Sequence, residues 1–546
     1  MKKVLMLFTV IAGCFLVYDL ALAQELCSTP ISTSYGLISG VMDKKEPVCV
    51  YKGIPFAEPP VGELRFKPPQ PPKKWSGVFK ADKFSPECIQ PGGPMPGVKA
   101  EPRSEDCLYL NIWKPAKPKT EGPLPVMFWI HGGSLTTGSG IISLYWGDRL
   151  SAQKDVIVVT INYRLGALGF LAHKDLSAED PRGSSGNYGL LDQIAALQWV
   201  RDNISGFGGD PNRVMIFGES AGGWSVCYLL ASPLAQGLFQ RAVIESGGCD
   251  TVNSMEVGFS DGEEFAKKVG CQGKTGKEML SCLRSFPVEK MLEKEPPASE
   301  EKKKKDRGLF SKEDLKFVWV PHIDGWALKQ SPIEALKSGN YNKVPLIVGS
   351  NRDEFKLFSV TTPGARLIPK SLIEKIMTDF LGREVTDGFK KLYPYKNYRR
   401  PADAALDAMG DIGLGCRCYW AVEALADKQP VYYYRFDYDE HLAPHMVGAA
   451  HAVEIPFVFG NLDRAPATIF LNKRLRKKAE PLKEAMMSYW TNFAKTGDPN
   501  GEGLVQWQQY DSVKRQRIYF DIPITLKETD NVEKCEFWSK NDPMKQ

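Results

Sequence analysis

The chain has 546 residues, of which 43% are hydrophobic and 25% are charged, which places it among globular proteins able to bury a large core. Its 70 Lys and Arg residues nearly balance its 65 Asp and Glu residues, and the net charge is +5. This balance provides no electrostatic basis for nucleic-acid binding, so we predict no nucleic-acid partner.

The first 23 residues have the features of a secretory signal peptide. Two lysines precede an apolar run from Val4 to Val17, and a small-x-small cleavage site ends at Ala23. Asp19 interrupts the run, which is shorter than the ~20 apolar residues of a membrane span. A lipoprotein-like box around Cys14 leaves lipidation of that residue as a minor alternative. We therefore predict a secreted or periplasmic protein that starts at Gln24, without stable membrane insertion.

Cysteine usage agrees with export to an oxidising compartment. Twelve cysteines are present, and removal of the signal segment with Cys14 leaves eleven. An odd number means that at least one thiol is free or bridges to another chain. None of the cysteines has zinc-ligand spacing with nearby histidines, so we predict no metal and no cofactor.

Short apolar, β-branched runs predict buried parallel strands. In chain order they are Val126–Ile130, Val156–Ile161, Val214–Phe217, Ala242–Ile244, Val344–Val348 and Val431–Phe436. Between the second and third runs, apolar residues from Leu190 to Val200 recur at helical spacing. This alternation predicts an α/β fold, with a large, mostly parallel central sheet and helices on both faces, as a single domain over residues 24–546. In such sheets the chemistry gathers beyond the carboxyl ends of the strands.

A glycine-rich turn follows the first of these strands. His131-Gly132-Gly133-Ser134 comes directly after Ile130. Such a turn can direct backbone N–H groups at a developing oxyanion, although taken alone it is equally typical of a plain β-turn.

The segment Gly218-Glu219-Ser220-Ala221-Gly222 lies between a predicted strand and a helical stretch that ends near Leu230. A nucleophile elbow needs this arrangement, because small flanking residues permit the strained strand-to-helix turn that exposes the serine hydroxyl. The helix N-terminus also favours negative charge on the substrate. With a strand before it and a helix after it, the pattern predicts a nucleophilic Ser220 rather than an ordinary glycine turn.

A catalytic serine needs a base, and that base needs an orienting acid. In α/β-hydrolases the chain order is serine, acid, histidine, which leaves four of the six histidines as candidates: His322, His441, His445 and His451. Small residues around His451 would let its imidazole approach a serine, so we favour His451. The run Val344–Val348 leads to Asp353 and Glu354, and spacing does not separate these two acids.

Together with these motifs, the sequence resembles the type-B carboxylesterase and cholinesterase family from about Gly36 to Trp538. Further segments that carry the resemblance are Tyr51–Ala57, Ser104–Asn111, Asn162–Arg164, Phe207–Pro211, His451 with Glu454, and Asn492–Pro499.

The resemblance implies the α/β-hydrolase fold and a serine carboxylesterase of the EC 3.1.1 type, which cleaves esters through an acyl-enzyme intermediate. It places the catalytic triad on Ser220, Glu354 and His451, and thereby selects Glu354 over Asp353. It places the oxyanion amides on Gly133, Ser134 and Ala221. Ser134 departs from the family's usual glycine, and we expect it to narrow the pocket beside the oxyanion hole.

The resemblance also implies three disulfides, namely Cys88–Cys107, Cys271–Cys282 and Cys416–Cys535. The other cysteines of the mature chain are expected to be buried thiols or to include one further pair. They are Cys27, Cys49, Cys227, Cys249 and Cys418.

Cholinesterases of this family carry a tryptophan inside the first disulfide loop, whereas Ile89–Asp106 contains no aromatic residue. Because aromatic faces hold quaternary ammonium groups, we predict small-molecule carboxylic esters other than choline esters as substrates. The alternatives are a long-chain acyl lipase and a non-catalytic adhesion or binding protein on the same fold. The segment Lys294–Lys312 is the candidate lid of a lipase, but it is too charged to present an apolar face. The natural ester, the oligomeric state and glycosylation of the sequon at Asn203 stay open.

Overall fold

An eleven-stranded mixed sheet runs through the computed structural model, which describes residues 24–93, 101–293, 317–361 and 364–544. The strands, in chain order, are β1 Val41–Met42, β2 Val48–Pro55, β3 Tyr109–Pro115, β4 Leu124–Ile130, β5 Ile157–Ile161, β6 Gly209–Glu219, β7 Arg241–Glu245, β8 Leu346–Asn351, β9 Val431–Phe436, β10 Gln516–Phe520 and β11 Thr525–Glu528. Their spatial order is β11-β10-β9-β8-β7-β6-β4-β5-β3-β2-β1.

The middle of the sheet is parallel, from β10 through β5. All residues of β4 and β5 are buried, because both faces of these strands are covered. This explains why β4 is apolar throughout and β5 is apolar except at Thr160, instead of alternating. The six predicted strands are confirmed, with shifts of a few residues at their ends. The antiparallel strands at both edges, β1 to β3 and β11, were not predicted.

Helices cover both faces of the sheet, as predicted. They are α1 Asp148–Lys154, α2 Gly166–Phe170, α3 Lys174–Glu179, α4 Tyr188–Asn203, α5 Ala221–Ala231, α6 Met255–Lys268, α7 Gly276–Ser285, α8 Val288–Leu292, α9 Pro332–Ser338, α10 Lys356–Thr361, α11 Lys370–Leu381, α12 Arg383–Leu392, α13 Pro401–Gly410, α14 Cys416–Leu425, α15 Pro444–Val447, α16 Ile455–Val458, α17 Lys473–Thr496 and α18 Val532–Lys540. One buried cluster contains residues of α4, α5 and α14, and the other contains residues of α1 and α17.

The parallel strands bring distant segments to one edge of the sheet. β4, β6, β7 and β8 are neighbours and run in the same direction, so their carboxyl ends lie side by side. The residues that follow these ends are His131, Ser220, Ser246 and Arg352. This edge therefore gathers residues that lie up to about two hundred positions apart in the chain.

Five disulfides cross-link the described residues. They are Cys27–Cys49, Cys88–Cys107, Cys227–Cys249, Cys271–Cys282 and Cys416–Cys535. The expectation of at most one pair beyond the three implied by the family was wrong. Folding brings the Cα atoms of Cys27 and Cys49 to 5.0 Å, and those of Cys227 and Cys249 to 5.2 Å. Cys418 is a buried free thiol.

The sequon asparagine Asn203 is a buried structural residue at the end of α4. Its Oδ1 accepts a hydrogen bond from Ser34 N at 2.7 Å, and its Nδ2 donates to Trp199 O at 2.8 Å. Because both ends of the amide are engaged inside the protein, the folded chain does not present Asn203 for glycosylation.

Two segments named in the sequence analysis, the signal peptide of residues 1–23 and the candidate lid of residues 294–312, lie outside the described residues. Across the part of the chain that the structure does describe, no helix combines the length and the apolar character needed to cross a bilayer.

Candidate active site

Ser220 occupies a sharp turn between β6 and α5. Its backbone has φ 59° and ψ −123°, a conformation that side-chain-bearing residues rarely adopt and that is typical of strained functional positions. A Cβ atom at Gly222 would lie 2.1 Å from Ile130 O, and one at Gly218 would lie 2.6 Å from Gly222 C. Both positions therefore require glycine, which is the reason for the small residues in the motif. Ser220 N donates to Glu245 O at 2.9 Å and ties the turn to β7.

The glycine-rich turn after β4 packs directly against this elbow. A Cβ atom at Gly132 would lie 2.6 Å from Glu219 O and 3.0 Å from Ser220 Cβ. The next two residues have positive φ angles, 106° at Gly133 and 55° at Ser134. Turns can present successive backbone N–H groups to an anion.

Three backbone amides near Ser220 are left for a ligand. No hydrogen bond between described residues uses the N–H of Gly133 or Ser134. Ala221 is the first residue of α5, where the N–H has no acceptor within the helix. These are the three amides that the family resemblance implies, and the side chain of Ser134 is exposed beside them.

His451 lies in the loop between α15 and α16 and contacts Glu354 at the end of β8. His451 Nδ1 is 2.7 Å from Glu354 Oε2. The other Glu354 oxygen, Oε1, accepts hydrogen bonds from Ser246 Oγ at 2.6 Å and from Asn351 N at 2.7 Å. Three partners therefore hold this buried carboxylate in one orientation toward the imidazole.

Asp353 has a different set of partners from its neighbour. It accepts a hydrogen bond from Ala449 N at 2.9 Å and forms ion pairs with Arg352 and Lys356. Burial raises its pKa, but these two cations outweigh burial and hold the pKa below its ordinary value. Asp353 therefore stabilises the loop that carries His451. Of the two acids, Glu354 is the one that is hydrogen-bonded to the imidazole, at 2.7 Å.

The second ring nitrogen of His451 faces the elbow. His451 Nε2 is 3.1 Å from Glu219 Oε1, and Glu219 immediately precedes Ser220. Burial alone lowers the pKa of His451, but the carboxylates of Glu219, Glu354 and Glu454 outweigh it and raise the pKa above its ordinary value. The site is thus built to stabilise a positive charge on this imidazole.

Three further buried carboxyls surround the pair. Burial raises the pKa of Glu219 to about 7, although His451 opposes the rise. Burial raises the pKa of Glu245 to about 8, and its Oε1 accepts a hydrogen bond from Trp490 Nε1 at 2.7 Å. Burial also raises the pKa of Glu454 well above its usual range. These shifts are caused first by burial, which disfavours the charged form, and second by the negative charges of neighbouring carboxylates.

The other candidate histidines lie elsewhere in the fold. His322 is buried, with Nδ1 3.3 Å from Gly186 O, and burial lowers its pKa to about 4. His441 Nε2 is 2.9 Å from Gly448 O, and His445 is exposed on α15. His131, which precedes Ser220 in the chain and was therefore not a candidate base, stacks on Tyr163 with ring centroids 4.4 Å apart. None of these rings contacts Glu354 in the described contacts.

Sequence reasoning missed three residues of this site: Ser246, Asn351 and Glu219. Ser246 and Asn351 support Glu354, and Glu219 contacts His451. Ser246 could have been found from its position, because it lies two residues after the predicted strand Ala242–Ile244, and that strand is the neighbour of the strand that leads to Ser220. Glu219 is the residue between Gly218 and Ser220 in the elbow motif, a position that the motif leaves unspecified. Among the described residues, no group of three or more His, Cys, Asp or Glu side chains is arranged to hold a metal ion.

Comparison with known proteins identifies the family of the chain. The sequence model of the Carboxylesterase family matches residues 28–538. The chain belongs to the carboxylesterase family. It is a carboxylic ester hydrolase with an α/β-hydrolase fold, as predicted.

Similar carboxylesterases come from bacteria and mammals. The chain is 37% identical over 507 residues to the para-nitrobenzyl esterase of Bacillus subtilis (strain 168), covering 92% of this chain and 97% of that protein. It is 37% identical over 535 residues to carboxylesterase 1C of Rattus norvegicus, covering 91% and 90%. The solved structure of the Geobacillus stearothermophilus carboxylesterase EST55 at pH 6.2 superposes with a TM-score of 0.79, at 35% identity, covering 93% and 100%.

Proposed function

We propose that Ser220, His451 and Glu354 form the catalytic triad of this carboxylesterase. The observation that carries the proposal is the 2.7 Å contact between His451 Nδ1 and Glu354 Oε2, in a ring whose Nε2 faces the elbow of Ser220. Glu354 keeps Nδ1 protonated and thereby leaves Nε2 as the basic nitrogen.

The reaction proceeds in two steps. His451 Nε2 accepts the proton of Ser220 Oγ as that oxygen attacks the ester carbonyl, and the alcohol leaves with the same proton. His451 then activates a water molecule that releases the acid from the acylated serine. The surrounding carboxylates stabilise the imidazolium that forms in both steps, which is consistent with their effect on the pKa of His451.

The amides of Gly133, Ser134 and Ala221 are proposed to bind the oxyanion of each tetrahedral intermediate. Their support is the positive φ angles of the first two residues, their unused N–H groups, and the position of Ala221 at the start of α5. Each such donor contributes roughly 10²- to 10³-fold to the rate.

The proposed substrates are small-molecule carboxylic esters. One relative is named para-nitrobenzyl esterase, and the described part of the first disulfide loop offers no aromatic face for a choline group. A panel of p-nitrophenyl esters with acyl chains from acetate to palmitate tests this choice. A strong preference for the longest chains would favour the lipase alternative.

The triad is tested by Ser220→Ala, with Ser232→Ala as the matched control. The Ser232 hydroxyl is buried and makes no hydrogen bond in the described residues, so its loss removes no hydrogen bond. We expect kcat for p-nitrophenyl acetate to fall by about 10⁶ in Ser220→Ala and to stay near wild type in the control. An organophosphate should label the wild-type protein at Ser220 and leave Ser220→Ala unlabelled. Near-normal turnover by Ser220→Ala would refute the triad, and absence of turnover by the wild type would favour an adhesion or binding protein.

We further propose that the chain is exported and that residues 24–546 form the mature single-domain enzyme. The five disulfides support an oxidising destination. N-terminal sequencing of the exported protein should begin at Gln24; a lipid-modified Cys14 would establish the lipoprotein alternative instead.

A further inference from the structure

Large apolar side chains are exposed around one end of the active site. We call this set the apolar lip: Phe358, Val360, Leu367, Leu442, Met446 and Ile469. Each is between 44% and 75% exposed. Isolated exposed apolar residues are normal on protein surfaces, but a contiguous group marks an interaction site.

Contacts between the segments that carry these residues place the segments next to one another. Leu442 N donates to Phe470 O at 3.0 Å, which joins Leu442 to the segment that holds Ile469. Arg366 Nη2 donates to His445 O at 2.9 Å, which holds Leu367 beside α15 and Met446.

The lip also reaches the active site. Helix α10 packs against α15, and the Phe358 ring centroid lies 5.6 Å from that of His451. The apolar lip therefore extends from the catalytic histidine to the surface.

A cluster of cations adjoins the lip at the start of α17. We call it the basic turn: Lys473, Arg474, Arg476, Lys477 and Lys478. Lys478 Nζ is 3.0 Å from Glu440 Oε2, two residues from Leu442, so the basic turn and the lip share one surface. Lys473, Arg474 and Lys477 are exposed, and among the described residues none of the three forms an ion pair.

Helix stability does not account for this charge. The first turn of α17 contains no acidic residue, and cations at a helix N-terminus oppose the helix dipole. The arrangement is unfavourable for the isolated protein, and an anionic partner would relieve it.

We propose that the apolar lip and the basic turn form a docking surface for a lipid membrane or aggregate that carries anionic headgroups. Cations next to exposed aliphatic and aromatic side chains are the combination that binds an anionic lipid surface peripherally. A soluble polyanion would match the charge but would leave the apolar side chains exposed. Docking in this orientation places the lipid against the side chains that lead to Phe358, whose ring centroid is 5.6 Å from that of His451.

Flotation of the full-length protein with vesicles tests the proposal and does not require catalysis. Binding to phosphatidylcholine vesicles is compared with binding to phosphatidylcholine–phosphatidylglycerol vesicles. The charge variant combines Lys473→Glu, Arg474→Glu and Lys477→Glu, and its matched control combines Lys274→Glu, Lys277→Glu and Lys514→Glu, which are exposed lysines on other segments. The apolar variant combines Leu442→Ser, Met446→Ser and Ile469→Ser, with the exposed Val513→Ser as control.

The wild type should bind the anionic vesicles and bind neutral ones weakly, and salt should weaken the binding. Each interfacial cation adds about fivefold, so the charge variant should lose roughly 100-fold in partitioning, and its control should stay within about threefold. The apolar variant should lose on the order of tenfold, while all variants hydrolyse soluble p-nitrophenyl acetate normally.

Equal binding to both vesicle types, or full binding by the charge variant, would overturn the proposal. The proposal would also be overturned if the apolar variant bound vesicles as well as the wild type and heparin competed with the vesicles, because that result indicates a polyanion site.

Discussion

Replacing each of the neighbouring acids Asp353 and Glu354 in turn by its amide tests whether Glu354 has the proposed catalytic role and Asp353 a structural one. Both side chains are at least 96% buried, but only Glu354 is hydrogen-bonded to His451, at 2.7 Å. In Glu354→Gln the negative charge beside the imidazole is lost, and the new amide can donate to Nδ1 and impose the wrong tautomer. We expect kcat to fall by about 10⁴, which corresponds to about 5.5 kcal/mol of transition-state stabilisation.

Asp353→Asn should lower stability instead of activity. The asparagine oxygen can still accept the hydrogen bond from Ala449 N, but the ion pairs with Arg352 and Lys356 are lost. We expect kcat within about threefold of wild type and a loss of about 1–3 kcal/mol in the free energy of unfolding.

This stability difference should depend on pH. Because the folded-state pKa of Asp353 is depressed, its contribution is present above the unfolded-state pKa and is lost as the pH falls through the folded-state pKa. The difference in Tm between wild type and Asp353→Asn should therefore be full at neutral pH and vanish in acid.

Steady-state hydrolysis of p-nitrophenyl acetate and thermal melts followed by circular dichroism measure both effects on the same preparations. If Asp353→Asn reduced kcat as much as Glu354→Gln in folded protein, the assignment of Glu354 as the orienting acid would be wrong. An activity of Glu354→Gln within tenfold of wild type would contradict it equally.

Three other predictions concern the pH dependence, the oxyanion turn and the sequon. In the proposed mechanism His451 acts as a neutral base, so the rate should fall as the pH drops through its pKa. Because the negative charge of Glu219 raises that pKa, Glu219→Gln should move the acid limb of the kcat/KM profile down by about 1–3 pH units. An unmoved limb would contradict this coupling. Ser134→Gly keeps the amide and the left-handed turn, so kcat for the acetate ester should stay within about threefold, and stability within about 1 kcal/mol. Peptide mapping after expression in a eukaryotic secretory host should find Asn203 without a glycan, and Asn203→Ala should cost about 1–3 kcal/mol in unfolding free energy.

Local sequence determined the elements that position the site. The continuous apolar run of β4 predicted a strand covered on both faces, and the predicted bounds of β9 match those observed. The glycines around Ser220 are required by contacts within the elbow and with the adjacent strand, so a short motif sufficed to predict the turn. These features depend on neighbours in the chain or on one adjacent strand, and their physical requirements are therefore visible in a few residues.

Only the tertiary structure decided which distant groups meet. Spacing left Asp353 and Glu354 equivalent, and the resemblance alone favoured Glu354; in the folded chain their partners differ because β8 ends beside the loop of His451. The contact of Ser246 with Glu354 spans 108 residues, and the pairing of Cys227 with Cys249 depends on how α5 packs beside the loop after β7. Contacts of this kind are set by strand order and helix packing across the whole core, which no local pattern of residues encodes.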